Sequence, residues 1–223
     1  MEPTLETTKS ADPGTVLQLV QRLHGSLVFP RRARVLSTFL AELIPDGATV
    51  VDVGCGSGMI GYLVKQTKPT VSIQGLEVMP RPSCLIECVR FDGTTIPMPD
   101  SSADVCMFVD VLHHTLSIDL LLREARRVAR RHVLIKDHLC ESGFDYAILS
   151  FMDWVGNRPL GVRLPHNYQS KADWCQLFSR CGLRVVDWKQ SLPLYPPPFS
   201  KLFGRGLHCI ALLERSPISG SPP

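Results

Sequence analysis

Short apolar runs alternate with helical patterns along the first two thirds of the chain. The segments between these runs either place apolar residues three and four positions apart, as helices do, or consist of polar loops. Strands that alternate with helices in this way predict a parallel sheet with right-handed crossovers, which is the doubly wound α/β class. Five apolar runs predict these strands, at residues 50–53, 71–77, 84–90, 104–110 and 132–136.

The pattern changes after the fifth predicted strand. A helix is predicted over residues 144–155, and a long irregular stretch follows it. The next helix begins at Ser170, because Ser170 and Asp173 have the spacing of a capping box. Two further strands are predicted at residues 183–188 and 207–212, which brings the sheet to seven strands.

A chain of 223 residues is long enough for one domain with a full sheet core. We expect residues 1–13 to be disordered, residues 14–215 to form a single domain, and residues 216–223 to be a loose tail. The remaining predicted helices lie at residues 15–28, 30–43, 59–66 and 118–128, the last of them capped by Ser117.

The charge balance gives little support for a polyanionic partner. The chain has 24 Lys and Arg residues against 21 Asp and Glu residues, for a net charge of +3. The basic runs at 31–34 and 126–131 fall on predicted helices, and we expect them to lie on solvated faces. No nucleic-acid partner is therefore expected.

The cysteines and the apolar runs indicate the compartment. The eight cysteines include no C-x-x-C pair, so free thiols in a reducing compartment and no metal site are expected. No apolar run approaches the roughly 20 residues of a membrane span. The first residues lack a basic region followed by an apolar core, so no signal peptide is expected. These features predict a cytoplasmic protein.

A glycine-rich turn follows the first predicted strand, in the segment Val50–Gly58. The dinucleotide fingerprint G-x-G-x-x-G would need glycine at position 59, where the chain has Met59. No G-x-x-x-x-G-K-[ST] sequence occurs, which excludes a P-loop. Asp52, two residues before Gly54, would repel a pyrophosphate and suits a ligand with positive charge, such as an ammonium or a sulfonium.

With this turn and three further motifs, the sequence resembles the class I methyltransferases that use S-adenosylmethionine. It is most similar to their small-molecule branch, which includes the ubiquinone and menaquinone methyltransferases. The resemblance covers residues 34–138 and implies a Rossmann-like, doubly wound, seven-stranded sheet that is mostly parallel with an antiparallel last strand. It rests on the motifs Val51-Asp52-Val53-Gly54-Cys55-Gly56-Ser57-Gly58, Glu77, Phe91-Asp92-Gly93 and the segment 104–114 that ends Val109-Asp110-Val111-Leu112-His113-His114.

The resemblance also implies how S-adenosylmethionine is bound. Glu77 would accept hydrogen bonds from the ribose hydroxyls, and Asp92 would meet the adenine amino group. Asp110 and Val111 would line the methionine portion. We interpret Cys55 as a small residue that fits the turn rather than as a nucleophile. The expected cofactor-binding residues are Asp52, Gly54, Cys55, Gly56, Gly58, Glu77, Val78, Phe91, Asp92, Gly93, Asp110 and Val111.

Methyl transfer from a sulfonium is an in-line displacement, so much of the rate enhancement can come from positioning. A general base is needed only when the acceptor must lose a proton. His113 and His114 follow the fourth predicted strand, and Asp137 and His138 end the fifth. These four residues are the candidates for a catalytic role. Because Asp137 and His138 are adjacent, we expect their side chains to diverge if the strand continues.

The segment after the fifth strand, at about residues 139–170, is where the resemblance implies a cover over the acceptor. Asp153 and Asn157 lie four positions apart and share a face if this segment is helical. Trp154 adds an aromatic surface, and Tyr168 follows in the irregular stretch. These four residues are predicted to bind a small-molecule acceptor, with O- or C-methylation favoured over N-methylation.

Three alternatives stay open at this stage. The first is methylation of a macromolecule, but the Asn-Pro-Pro-Tyr-like segment typical of such enzymes is replaced by Asp110-Val111-Leu112-His113. A non-catalytic module that binds S-adenosylmethionine would keep the same fold. A nicotinamide oxidoreductase is disfavoured by Met59 and by Asp52. The oligomeric state, the acceptor and the methylated atom do not follow from the sequence.

Overall fold

A computed structural model describes residues 29–157, 165–197 and 199–216, without the side chain of Asn157. The disorder predicted for 1–13, the helix predicted over 15–28 and all of the tail after residue 216 lie outside these residues.

The helices are α1 Phe29–Leu43, α2 Met59–Thr67, α3 Ile118–Val128, α4 Gly143–Asn157, α5 Lys171–Arg180 and α6 Ser200–Phe203, with a 3₁₀ turn at Leu112–His114. The strands are β1 Thr49–Val53, β2 Ser72–Glu77, β3 Cys88–Arg90, β4 Ala103–Val109, β5 Ala129–His138, β6 Leu183–Lys189 and β7 His208–Arg215.

The strands form one seven-stranded sheet in the order β3-β2-β1-β4-β5-β7-β6. The first five strands pair in parallel, and β7 runs antiparallel to both β5 and β6. The α/β class and the antiparallel last strand are therefore confirmed. Because β1 and β4 are neighbours, the turn after β1 and the loop after β4 meet at the same edge of the sheet, which is where doubly wound folds bind ligands.

Two apolar layers cover the sheet. Alternate residues of the central strands face opposite sides, so Val51 contributes to one layer and Val50 to the other. Helices α3 and α5 pack on the first side, where Trp174 is almost completely buried. Helices α1 and α2 pack on the second side. This burial holds β1, β4 and β5 in register and fixes the position of the residues at their carboxyl ends.

The third strand is shorter than predicted. A strand is predicted over residues 84–90, but only Cys88–Arg90 form one, paired with β2. The backbone N–H of Leu85 instead donates to the carbonyl of Ser57 at 2.9 Å, and the side chain of Ile86 packs against Gly58. The first half of the predicted strand is thus a loop that folds over the glycine turn.

Three predictions about helix ends and basic runs are settled by the contacts. The capping box of Ser170 and Asp173 is confirmed. Ser117 precedes α3, but its hydroxyl makes no capping bond to the helix backbone, so the prediction of a side-chain cap is wrong.

The solvated faces predicted for the basic runs are wrong for two arginines. Arg32 is an inward-facing ion-pair partner of Asp110, and Arg127 binds the carbonyls of the loop before β4, at Ile96 and Met98.

None of the helices in the described part of the chain is long and apolar enough to cross a membrane.

Candidate functional site

The glycine turn connects β1 to α2 and lies beside the end of β4. Gly54 has φ +74°, and a Cβ at this position would lie 2.6 Å from Cγ2 of Val111, so only glycine lets the two loops come this close. Gly56 also has a positive φ, and within the described residues no atom lies within 4 Å of where its Cβ would be. Its backbone N–H donates to Oε2 of Glu77 at 2.8 Å. The turn therefore has one packed side and one open side.

Glu77 ends β2 next to this open side. Its Oε1 accepts from the backbone N–H of Val78 at 2.9 Å, so both carboxylate oxygens are anchored while the side chain stays only partly buried. Val78 and Met79 are exposed directly after it. A carboxylate held in place beside exposed apolar side chains suits a ligand that combines hydroxyl groups with a flat apolar ring.

The loop after β3 forms the next part of this edge. Phe91 is buried, and a Cβ at Gly93 would lie 3.2 Å from Cγ2 of Val78. The Oδ1 atom of Asp92 accepts hydrogen bonds from the backbone N–H groups of Thr94 and Thr95, and these bonds lower the pKa of the Asp92 carboxyl. Asp92 thus shapes its own turn through Oδ1.

Asp52 lies beneath the turn rather than on its open side. It is 2% exposed, and a Cβ at Gly61 in α2 would lie 3.3 Å from its Oδ2. Burial and the nearby charge of Glu77 raise the pKa of Asp52 to about 7. A cation bound near the turn would favour its ionised form.

Cys55 points towards β2 and β3. Its Sγ lies 3.5 Å from Sγ of Cys88, and burial and the Asp52 carboxyl raise the pKa of its thiol. The thiol is therefore protonated at neutral pH, which argues against a nucleophilic role and agrees with its interpretation as a residue that fits the turn.

His113 is the centre of a buried polar cluster at the carboxyl ends of β4 and β5. Its Nδ1 lies 2.6 Å from Oδ1 of Asp137, and its Nε2 lies 3.4 Å from Oδ2 of Asp153 in α4. Burial alone would lower the pKa of His113, but the two carboxylates outweigh burial and raise the pKa to about 10. His113 is thus an imidazolium at neutral pH, which makes it unsuitable as a general base.

The two candidates on β5 converge instead of diverging. The strand does continue through His138, but the backbone N–H of His138 donates to Oδ1 of Asp137 at 2.7 Å, and the His138 ring lies 3.5 Å from the same oxygen. Nδ1 of His138 is also 3.3 Å from Nδ1 of His113. The predicted divergence is wrong, because His113 lies at the strand end where both side chains reach it. Burial and the positive charge of His113 lower the pKa of His138, so it is neutral.

His114 differs from its neighbour in burial and in charge. It is only partly buried, with its ring centroid 4.0 Å from that of His113. Burial and the charge of His113 lower the pKa of His114 to about 4. Its Nδ1 has no hydrogen-bond partner among the described residues. Of the three clustered histidines, His114 is the one that is both neutral and partly accessible.

Asp110 connects this cluster to α1. It has φ +57°, which is rare for a residue with a side chain. Its Oδ1 pairs with Nζ of the fully buried Lys136, and its Oδ2 accepts from Arg32 at 3.1 Å. Burial would raise the pKa of Asp110, but these two cations lower it well below its usual range. The carboxylate that the resemblance assigns to the cofactor is therefore already neutralised by two basic residues.

Three residues at or near Asp110 were not predicted as site residues, and two of them, Lys136 and His208, are buried. Lys136 was visible as a single lysine after a continuous apolar strand, which is a signal for a buried ion pair. Arg32 was hidden within a basic run, and its guanidinium lies over the ring of Tyr195 at 5.5 Å. The Nδ1 atom of His208 lies 3.4 Å from Nζ of Lys136. Nothing local in the sequence distinguishes His208, because it reaches the site only through the pairing of β7 with β5.

The predicted acceptor-binding residues are only partly brought together. Tyr168 donates a hydrogen bond to Oδ2 of Asp153, and its ring stacks at 5.7 Å from that of His113. Trp154 lies on the outer side of α4, is 37% exposed and has its ring 6.3 Å from that of Phe151. Asn157 ends α4, and its side chain lies outside the described residues.

These features fit S-adenosylmethionine. The open side of Gly56 gives space against the backbone, Glu77 offers carboxylate oxygens, and Val78 and Met79 offer an apolar surface. The ionisable Asp52 beneath the turn favours a ligand with positive charge. The residues at the ends of β1, β2 and β4 can therefore hold all three parts of this cofactor.

Comparison with known proteins agrees with this fit. A family described as a methyltransferase domain matches residues 28–187. An uncharacterized methyltransferase from Mycobacterium sp. (strain KMS) is 31% identical over 144 residues, which are 60% of this chain and 52% of that protein. The (S)-coclaurine N-methyltransferase of Thalictrum flavum subsp. glaucum is 31% identical over 116 residues, which are 46% of this chain and 32% of that protein. The chain thus spans about half the length, or less, of these relatives.

Solved structures share the fold. The structure of the mitomycin 7-O-methyltransferase aligns with a TM-score of 0.60 and 22% identity, over 92% of this chain and 59% of that one. At this identity the similarity demonstrates the Rossmann-like methyltransferase fold and nothing further about the acceptor.

Proposed function

The chain belongs to the methyltransferase domain family, and we propose on this basis that it transfers the methyl group of S-adenosylmethionine to a small-molecule acceptor, at an oxygen or carbon atom. S-adenosylmethionine is the cofactor that this family and fold imply. Its sulfonium supplies an activated methyl group.

Binding is attributed to the turn and to the ends of β2 and β3. Glu77 is positioned to accept hydrogen bonds from the ribose hydroxyls, because the backbone of Gly56 and Val78 already fixes its carboxylate. Val78 and Phe91 supply apolar surface for the adenine. Oδ1 of Asp92 takes part in a turn, which leaves Oδ2 for the adenine amino group.

The methionine end is attributed to the region between Gly54, Val111 and Asp110. Val111 packs against Gly54 and so holds the loop after β4 at the turn. Lys136 and Arg32 neutralise Asp110, so Asp110 positions its backbone and Arg32 rather than presenting a free charge. Arg32 is the more accessible of these two cations, and its guanidinium suits a carboxylate ligand.

A single observation supports proton transfer at the acceptor: the neutral, partly accessible His114 beside the positively charged His113. The carboxylates of Asp137 in β5 and Asp153 in α4 lie beside the two ring nitrogens of His113 and stabilise its protonated form. Burial and that charge lower the pKa of His114 to about 4, so His114 is unprotonated throughout the neutral range and can accept a proton from an acidic acceptor as the methyl group is transferred. We assign His114 as the base, and His113, Asp137 and His138 as positioning residues.

The small-molecule class is supported by the type of cover and by the relatives. Asp153 and Tyr168 enclose His113 from α4 and from the segment before α5, which is the kind of cover that a small acceptor would use. The names of the coclaurine and mitomycin methyltransferases both specify small acceptors, one methylated at nitrogen and one at oxygen. An acidic hydroxyl or an activated carbon would make use of the neutral His114, whereas an amine loses its proton readily to solvent.

Two measurements on the purified chain test this proposal. Calorimetric titration with S-adenosylmethionine should show binding at one site. A screen of phenols, carboxylic acids, enols and amines, read by release of S-adenosylhomocysteine, should then identify an acceptor whose methylation depends on His114. Absence of cofactor binding contradicts the proposal. Binding without turnover across the screen favours a non-catalytic module, and turnover only on protein or nucleic acid favours the macromolecular alternative.

A further inference from the structure

Three cysteines converge behind the glycine turn, on the side away from His113. They come from three different elements: Cys55 from the turn after β1, Cys84 from the loop after β2, and Cys88 from β3. Their Sγ atoms all lie within 4.8 Å of one another, and all three residues are partly buried. Nothing in the proposed methyl transfer uses them.

The local backbone leaves space for these sulfur atoms at two glycines. A Cβ at Gly75 in β2 would lie 2.6 Å from Sγ of Cys55, and a Cβ at Gly58 would lie 2.9 Å from Sγ of Cys84. A side chain at either glycine would displace a sulfur. The loop before β3 is also fixed to the turn, through the hydrogen bond from Leu85 to Ser57. The packing of β2, the glycine turn and the loop before β3 therefore fixes the positions of the three thiols.

The spacing of the sulfur atoms matches a metal site. A zinc ion bound to thiolates at about 2.3 Å in a tetrahedron separates the sulfur atoms by about 3.8 Å. Sγ of Cys55 and Sγ of Cys88 are 3.5 Å apart, and the whole group fits within 4.8 Å. Because the group is only partly buried, a water molecule can complete the fourth position.

We propose that Cys55, Cys84 and Cys88 form a three-thiolate site for a thiophilic ion, Zn²⁺ in the first place. Thiolate ligands select such ions over Mg²⁺ or Ca²⁺. Each thiol loses its proton to solvent on binding, so three protons are released and three S–Zn bonds form with no change in oxidation state. The ion ties the cofactor-binding turn to β3, which is a three-residue edge strand.

The site was not visible in the sequence because its spacing is irregular. Cys55 and Cys84 are 29 positions apart, and Cys84 and Cys88 are separated by three residues, so no C-x-x-C pair occurs. The pairing of β2 with β3 and the loop that folds over Gly58 bring the three residues together. This inference does not rest on the proposed function, because metal binding can be measured with neither cofactor nor acceptor present.

The test uses the reduced, metal-free chain under anaerobic conditions and Co²⁺ as a spectroscopic probe. One equivalent of Co²⁺ should produce the intense thiolate-to-cobalt charge-transfer absorption, and Zn²⁺ should abolish it by displacing Co²⁺. Cys84→Ser and Cys88→Ser should each remove this absorption. Cys175→Ser is the matched control, because Cys175 is exposed on α5 and outside the cluster, and it should leave the absorption unchanged.

Circular dichroism of each variant establishes that it is folded. Cys84→Ser and Cys88→Ser change partly exposed residues in a loop and an edge strand, so the fold should persist. The proposal is overturned if the folded wild-type chain shows no charge-transfer absorption, or if the absorption survives in both Cys84→Ser and Cys88→Ser. Formation of a Cys55–Cys88 disulfide that reduction does not convert into a Zn²⁺-binding form also overturns it.

Discussion

Nδ1 of His113 and Oδ1 of Asp137 lie 2.6 Å apart, and both side chains are almost completely buried. Asp137 also accepts the backbone N–H of Leu112 at 3.0 Å, so one carboxylate orients both the ring and the 3₁₀ turn that contains it. The pKa of Asp137 is well below its usual range, because the charge of His113 outweighs the effect of burial. This pair holds the loop after β4 to the end of β5.

Removal of Asp137 should destabilise the chain strongly. Asp137→Ala leaves the His113 imidazolium buried beside a single carboxylate, and breaking a buried pair in this way costs about 3–5 kcal/mol. Urea unfolding should show this loss. Glu42→Gln, a change at an exposed residue of α1, is the control and should stay within about 0.5 kcal/mol of wild type. Equal stability of Asp137→Ala and wild type would show that the ion pair is not formed.

Stability should fall as the pH rises from neutral to alkaline values. The pKa of His113 is raised from 6.5 to about 10 in the folded chain, so its contribution is fully present below pH 6.5 and is lost as the pH rises through 10. The stabilisation by Asp137 depends on pH in the opposite direction. It is present above the unfolded pKa of 3.8 and is lost at lower pH. Denaturant unfolding across this range should show a decline between pH 6.5 and 10 that is smaller in His113→Gln. A decline of the same size in the variant would assign it to other groups.

His114→Asn should lower kcat without affecting the cofactor. A general base contributes roughly 10²–10⁴-fold, so we expect a loss of this order with the acceptor found in the screen. The dissociation constant for S-adenosylmethionine, measured by calorimetry, should be unchanged. In the wild type, the rate should be independent of His114 protonation above pH 4, since the pKa of His114 is about 4. An unchanged kcat in the variant would remove His114 from the mechanism.

Glu77→Ala should weaken S-adenosylmethionine binding. Hydrogen bonds to a charged group contribute roughly 1.5–3 kcal/mol each, so the loss of one corresponds to about 10–100-fold in affinity. Glu87→Ala is the matched control, because Glu87 is an exposed glutamate in the neighbouring loop. Calorimetric titration distinguishes the two variants, and equal affinities would show that Glu77 does not bind the ribose.

Gly54→Ala should destabilise the turn more than Gly47→Ala does. Both glycines have a positive φ, of 74° and 69°, so each variant incurs backbone strain of about 1–2 kcal/mol. At Gly54 the new Cβ collides with the side chain of Val111, whereas no atom of the described residues lies within 4 Å of the Cβ position at Gly47. The difference in unfolding free energy between the two variants measures the clash. It should shrink in a Gly54→Ala/Val111→Ala double variant, and a difference of zero would mean that the two loops do not touch.

The sequence predicts the order of the elements well and the contacts between distant elements poorly. Periodicity and glycine spacing are local properties, so β1, the glycine turn, α2 and the capping box at Ser170 could be identified directly. The convergence of Asp137 and His138 on His113 could not, because it depends on how the loop after β4 folds back over the end of β5. The lone Lys136 in an apolar strand indicated a buried partner, but the identity of that partner, Asp110, depends on the pairing of β4 with β5.

The same reasoning explains the failures on charged and sulfur residues. The basic residues next to Arg32 in the sequence predict that it faces solvent. In the structure its guanidinium turns inward because it pairs with the carboxylate of Asp110 at the end of β4. The first half of the predicted third strand has the composition of a strand. It is a loop because the backbone N–H of Leu85 donates to the carbonyl of Ser57 and the side chain of Ile86 packs against Gly58. Tertiary partners therefore decided the local conformation in both places.

The strand β7 occupies an interior place in the sheet although it is the last one in the sequence. It pairs with β5 along its length, and its His208 lies opposite His138. During synthesis, β5 and its charged end therefore emerge from the ribosome long before the strand that covers them. Until residues 208–215 follow, the nascent chain exposes an unpaired strand edge and the uncovered Lys136. The polar cluster can therefore form only after residues 208–215 have been synthesised, and until then the open edge of β5 is available for non-native pairing.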